Sequence, residues 1–122
     1  MDKIILKGIL ASGFYGCSEA ERSLIQDFRI DLILSFDFSK CVKSDSLEDT
    51  IDYPFVIDSV KNTVREFTCS LIEKLAEEIS EKLFLQFPLL QKLEIELSKC
   101  ASEKVFSIEE VAVKIKRIRK DK

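Results

Sequence analysis

The stretch from Phe28 to Phe38 leaves this chain little conformational freedom. Phe28, Ile30, Leu32, Leu34, Phe36 and Phe38 alternate with Arg29, Asp31, Ile33, Ser35 and Asp37, and a period of two sustained that long predicts a strand with one buried face. Such a face needs a cover. Leu75, Ile79, Leu83 and Phe87 recur every four residues with Ile72 and Ala76 beside them, while Lys74, Glu77, Glu78, Glu81 and Lys82 fall on the other side. That spacing predicts an amphipathic helix from Ser70 to Phe87, stopped by Pro88, with one stripe packed on a sheet. Ser70 and Glu73 make an S-x-x-E capping-box pattern at its start. Glu73 therefore has two readings. It is a cap, or it is a carboxylate held at the positive end of a helix dipole, able to receive paired N–H donors from a planar ligand.

The remaining segments fall into place around these two. Lys3 to Ala11 reads as a first strand interrupted at Gly8, Gly13 and Gly16 bracket Phe14-Tyr15 as a turn or strand end, and Ser18 to Glu21 suits a short helical turn. Ser44 to Asp52 is an acidic polar loop. Pro54 fits the first turn of a helix whose stripe is Val56, Val60 and Val64, which puts Tyr53 at the loop-to-helix junction. Residues 66–69 link this helix to the next. Leu93, Ile95 and Leu97 mark a third strand and Val111, Val113 and Ile115 a fourth, with 100–110 between them as a loop. Lys99 continues the dry parity of the third strand. It either lies past the strand end and snorkels to water, or points into a site where it has partners. The order strand, strand, helix, helix, strand, strand implies an α+β two-layer sandwich, a four-stranded antiparallel sheet with both helices on one face.

Composition narrows the chemistry. The chain has 122 residues, which fits one domain over 1–122, and its net charge of −3 with a pI near 5.1 gives no general case for nucleic acid. The basic segment 114–122 reads as a solvated strand end and tail rather than a nucleic-acid arm. No apolar run reaches the roughly 18 residues of a membrane span, and Lys3 and Lys7 interrupt any leader-like core, so a cytoplasmic location without membrane partners is expected. Cys17, Cys41, Cys69 and Cys100 are widely spaced and read as reduced structural thiols. The chain contains no histidine. That excludes Ser-His and Cys-His nucleophilic machinery and histidine-held catalytic zinc, leaving Glu, Asp, Lys, Tyr or Cys for any chemistry. Glycine-rich phosphate loops of the familiar spacings are also absent.

Four stretches together carry a resemblance. The run Leu47-Glu48-Asp49-Thr50-Ile51-Asp52-Tyr53, the Glu21 followed five residues later by Gln26, the helix start Leu71-Ile72-Glu73-Lys74-Leu75-Ala76-Glu77, and Lys99 at the end of a third strand resemble the dihydroneopterin aldolase family. The order of elements is similar to that family's tunnelling fold, and the likeness extends over nearly the whole chain. It implies that Glu73 anchors a pterin through the amino group and ring N–H, with backbone groups of Ile72 and Ile51 completing the hydrogen bonds. It further implies that Tyr53 donates a proton near the reacting carbon, and that Lys99 acts with Glu21 and a water on the side-chain hydroxyl. No cofactor and no metal are implied, since the substrate's own C=N group accepts the electrons of a retro-aldol cleavage.

The family resemblance also implies a homo-oligomer, an octamer of two tetramers, in which Glu73 and Lys99 of one subunit meet Tyr53 of a neighbour. Pyruvoyl-tetrahydropterin synthases and zinc-dependent GTP cyclohydrolases share the architecture but hold zinc through histidines, which this chain lacks. The sequence departs from the family pattern in four places. Tyr15-Gly16 stands where many members have His-Gly, Pro54-Phe55 opens the helix after Tyr53, residues 100–104 replace a proline-rich loop, and the glycines usual before the last strand are missing. Two other activities stay compatible with these residues: an epimerase of dihydroneopterin or its triphosphate, and a non-catalytic pterin-fold module.

Overall fold

The computed structural model describes residues 1–16, 18–22, 24–100 and 108–120, with the backbone alone for Glu21, Arg22 and Cys100. Strands β1 (Asp2–Phe14), β2 (Ile25–Phe36), β3 (Lys92–Cys100) and β4 (Glu110–Ile118) form one antiparallel sheet in the order β1-β2-β3-β4. Helices α3 (Tyr53–Glu66) and α4 (Ile72–Gln86) cover one face, α3 over β1 and α4 over β3 and β4. Short helices α1 (Glu19–Arg22) and α2 (Ser39–Ser44) and a 3-10 turn at Leu47–Asp49 occupy the connections. The expected α+β sandwich is the observed one. No described helix is long and apolar enough to cross a membrane.

The core is what the two periodicities dictate. Ile30, Leu32, Leu34, Phe36 and Phe28 of β2 lie beside Leu93, Ile95 and Leu97 of β3 on one face of the sheet and are covered by Val56, Val60, Val64, Leu75, Ala76, Ile79 and Leu83 of the helices, all essentially inaccessible to water. The β-branched stripe of α3 is a poor intrinsic helix former, so this burial, worth about 1.5–3 kcal/mol per large apolar side chain, holds it in place.

β1 runs on past the expected Ala11 to Phe14, and other details also differ from the sequence reading. The interruption at Gly8 is a β-bulge rather than a strand end: Leu6 pairs with Leu32 but Ile9 with Ile30, so β1 carries one extra residue and keeps both side chains on the core face. Gly8 adopts φ 75°, and its N–H donates to Asp31 Oδ1 at 2.7 Å. β2 stops at Phe36, because Asp37 Oδ1 accepts the Ser39 N–H at 2.9 Å and turns the chain into α2; Phe38 still packs on Phe36, ring centroids 4.8 Å apart.

The capping box is also one residue out of register. Leu71, extended at φ −120°, is the N-cap of α4, and its carbonyl accepts the Leu75 N–H at 3.3 Å. Ser70 lies before the cap, and Glu73 is the second helical residue.

Candidate functional site

Tight turns put distant parts of the sequence at the same end of the molecule. The chain leaves α4, turns through 87–91 and returns as β3, so the first turn of α4 and the last residues of β3 lie at a common end. The end of β1 arrives there too. The Gly16 N–H donates to the Cys69 carbonyl in the link between the helices at 3.1 Å. Gly13 lies so close to α3 that an added Cβ would stand 2.2 Å from the Val64 carbonyl oxygen.

Ile72, Glu73 and Lys99 therefore share one end. Ile72 is buried, and Glu73 is exposed in the first turn of α4, where the positive end of the dipole favours a carboxylate. Lys99 lies inside β3 rather than past it, paired with Phe28 on β2 and Val111 on β4 and half-buried on the core side. Its Nζ stands 4.5 Å from the ring centroid of Tyr15. Lys99 is thus the last but one residue of β3 and does not lie past the strand end.

Ile51 and Tyr53 are at the other end. Tyr53 opens α3, whose 14 residues span about 20 Å, and Val64 near the far end is the residue that meets Gly13. Tyr53 is thus separated from Lys99 by roughly the length of that helix. It is 53% exposed and borders an open groove of about 470 Å³ shared with Leu6, Gly8 and Leu10 of the edge strand β1 and with Ile57 and Lys61. Ile51 is buried just before it, at the end of a loop pinned by Asp49. The Asp49 carboxyl is held below its ordinary pKa by the Ser44 hydroxyl and by Lys40, whose Nζ is 3.3 Å away.

The backbone of Glu21 lies in α1, shortly after Tyr15, while its side chain, Cys17 and residues 101–107 lie outside what is described. Among the described residues no group of three or more His, Cys, Asp or Glu side chains is placed to hold a metal ion. One feature the residue pattern did not single out as functional is Tyr15 itself. It is only 7% exposed and packs edge-on against Phe28, centroids 5.0 Å apart, beneath the Lys99 ammonium. The hints in the sequence are an aromatic residue lodged between Gly13 and Gly16 and its place where many members of the family have histidine.

This architecture has close counterparts. The FolB protein of Vibrio cholerae superposes with a TM-score of 0.89 at 28% identity over 98% of both chains. The Escherichia coli dihydroneopterin aldolase, solved in complex with neopterin, superposes with a TM-score of 0.87 at 27% identity over 96% of this chain and 99% of that one. The sheet and its helix pair are thus a tunnelling fold. A family model described as dihydroneopterin aldolase (FolB) matches residues 4–116, and a Streptococcus pyogenes serotype M1 dihydroneopterin aldolase is 40% identical over 99 residues, 81% of this chain and 83% of its own. The chain belongs to the dihydroneopterin aldolase family.

Proposed function

We propose that this protein cleaves dihydroneopterin to hydroxymethyl-dihydropterin and glycolaldehyde, a retro-aldol step of folate biosynthesis. The observation that carries the reading is the family match from residue 4 to residue 116, which encloses every residue given a role here. The neopterin bound to the E. coli relative supports a pterin as the ligand class.

In this reading the Glu73 carboxylate receives the pterin amino group and ring N–H in a bidentate pair, and the backbone at Ile72 and Ile51 completes the recognition. Lys99 acts with Glu21 and a water to move the proton off the side-chain hydroxyl next to the scissile bond. That oxygen becomes the carbonyl of departing glycolaldehyde, the carbon–carbon bond breaks, and its electron pair moves into the ring C=N. Tyr53 then supplies the proton that the remaining carbon takes up. Because the heterocycle accepts the electrons, neither a Schiff base nor a metal ion is needed.

The same reading places the site between subunits of a homo-oligomer, an octamer of two tetramers, with the whole chain as one domain in the cytoplasm. Three features support assembly. Tyr53 and Lys99 lie at opposite ends of one chain. β1 and β4 leave two unpaired sheet edges. Ile5, Leu10 and Phe14 of β1 present apolar surface away from the core.

Incubation with dihydroneopterin tests the activity directly. Glycolaldehyde release is the expected result. An inverted side chain without cleavage would instead make the protein an epimerase, and tight pterin binding with no turnover would make it a binding module. Lys99→Ala is expected to abolish release while leaving neopterin affinity within about threefold of the parent, because it removes the proton shuttle and not the anchor. Retained turnover would remove Lys99 from the mechanism.

A further inference from the structure

We infer that Tyr15 is the positioning residue for Lys99, holding its ammonium by the face of an aromatic ring; this rests on the aldolase reading above. A lysine that continues the row Leu93, Ile95, Leu97 ends a core stripe with a charge, and a charge at that depth is tolerated only with compensation. Tyr15 supplies part of it. Nζ at 4.5 Å from the ring centroid is well inside the range of about 6 Å over which a ring quadrupole attracts a cation.

The ring is itself fixed on all sides that matter. Phe28, the cross-strand partner of Lys99, presses on it at 5.0 Å with the planes inclined by 64°. The Tyr15 carbonyl accepts the Gln26 side-chain amide at 3.4 Å, and the adjacent Gly16 N–H binds the Cys69 carbonyl at 3.1 Å. That last bond ties the ring to the link that leads into Ile72 and Glu73, so the cation is located relative to the pterin anchor through a short, rigid path.

The choice of an aromatic floor has a chemical consequence. A carboxylate in the same place would hold Lys99 as a tight ion pair and take up its N–H bonds. A ring face confines the ammonium without itself taking up one of its N–H donors, so Tyr15 contributes position rather than a hydrogen bond. Tyr15 acts through Lys99 and not on the substrate.

The test compares full-length, assembled protein carrying Tyr15→Leu, Tyr15→Phe, and phenylalanine at 15 with one, two or three ring fluorines, which weaken the quadrupole with little change of shape. Steady-state glycolaldehyde release gives kcat and KM, and fluorescence titration gives the neopterin Kd. Tyr15→Leu is expected to lower kcat by about ten- to a hundredfold with KM and Kd within about twofold, as for a displaced catalytic group, and Tyr15→Phe to restore most of the rate. The fluorinated series should lose kcat stepwise at constant Kd. An unchanged kcat in Tyr15→Leu, a flat fluorinated series, a rise of Kd in parallel with the loss, or equal damage in the Leu and Phe variants would each overturn the positioning role. If the parent protein releases no glycolaldehyde, the aldolase reading falls and the positioning role falls with it; only the first set of outcomes sinks the role of Tyr15 alone.

Discussion

Gly8 and Gly13 lie on the same strand yet resist substitution for opposite reasons. At Gly8 a Cβ has room, its nearest neighbour being Arg29 Nε at 3.8 Å, but φ of 75° strains any L side chain. At Gly13 a Cβ would collide with the Val64 backbone at 2.2 Å. Gly8→Ala is expected to cost about 1–2 kcal/mol from backbone strain alone. Gly13→Ala must push β1 off α3, with a cost of about 1–3 kcal/mol or more and a disturbed Tyr15. Denaturant titration of the two variants checks both sizes. Glu73→Gln keeps the shape of the anchor and removes its charge, so neopterin affinity is expected to fall about ten- to a hundredfold by fluorescence titration; an unchanged affinity would return Glu73 to a purely helical role. Burial raises the Cys69 thiol above its ordinary 9.0, the neighbouring Glu78 acting in the same direction. The protonated thiol is the form the fold favours, so its contribution to stability is complete below the unfolded thiol's pKa and is lost as pH rises through the folded one. Peptide-resolved alkylation is expected to label Cys69 more slowly than an unstructured thiol at pH 8 to 9, with the deficit closing at higher pH.

At the scale of elements, the C-terminal end of α4 is closed by a residue from the far end of the chain. Arg119, just past β4, donates from Nε to the Leu90 carbonyl at 2.7 Å and from Nη2 to the Phe84 and Phe87 carbonyls at 2.9 and 2.8 Å, with its guanidinium 5.2 Å from the Phe84 ring centroid. A cation at the negative end of the dipole and three satisfied carbonyls make this a cap assembled across the fold. Arg119→Met is expected to lower stability by about 1.5–3 kcal/mol and to release hydrogen-exchange protection first in the last turn of α4, measured by mass spectrometry. The sequence hides such a cap, since local capping rules look only a few residues along the chain. The same limit explains the misplaced start of α4. Ser70 and Glu73 have the right spacing for a box, but the link to α3 is drawn toward β1 by the Gly16–Cys69 bond, and helical geometry begins one residue later.

For the whole molecule, the 20 Å or so between Tyr53 and Lys99 turns the mechanism into a statement about assembly. If each site takes Tyr53 from one subunit and Lys99 from its neighbour, two inactive variants can complement each other. Tyr53→Phe and Lys99→Ala proteins, unfolded together and reassembled in equal amounts, are expected to recover about a quarter of the parent's specific activity, the share of interfaces that draw an intact residue from each side. No recovery would place the site within one chain. Periodicity made the fold legible: alternation over 28–36 and the four-residue stripes at 56–64 and 75–83 each admit one element type and one buried face, and short connections then order the sheet. The residues of the candidate site were legible one at a time, as a carboxylate in a helix's first turn, a tyrosine before a proline and a lysine on a dry parity. Side-chain identity and spacing determined which groups could do chemistry and which face each occupied. Only the tertiary structure decided which of them meet, because the bulge at Gly8, the ring beneath Lys99 and the separation of Tyr53 from Lys99 arise from contacts between residues far apart in sequence, and local periodicity carries no record of those.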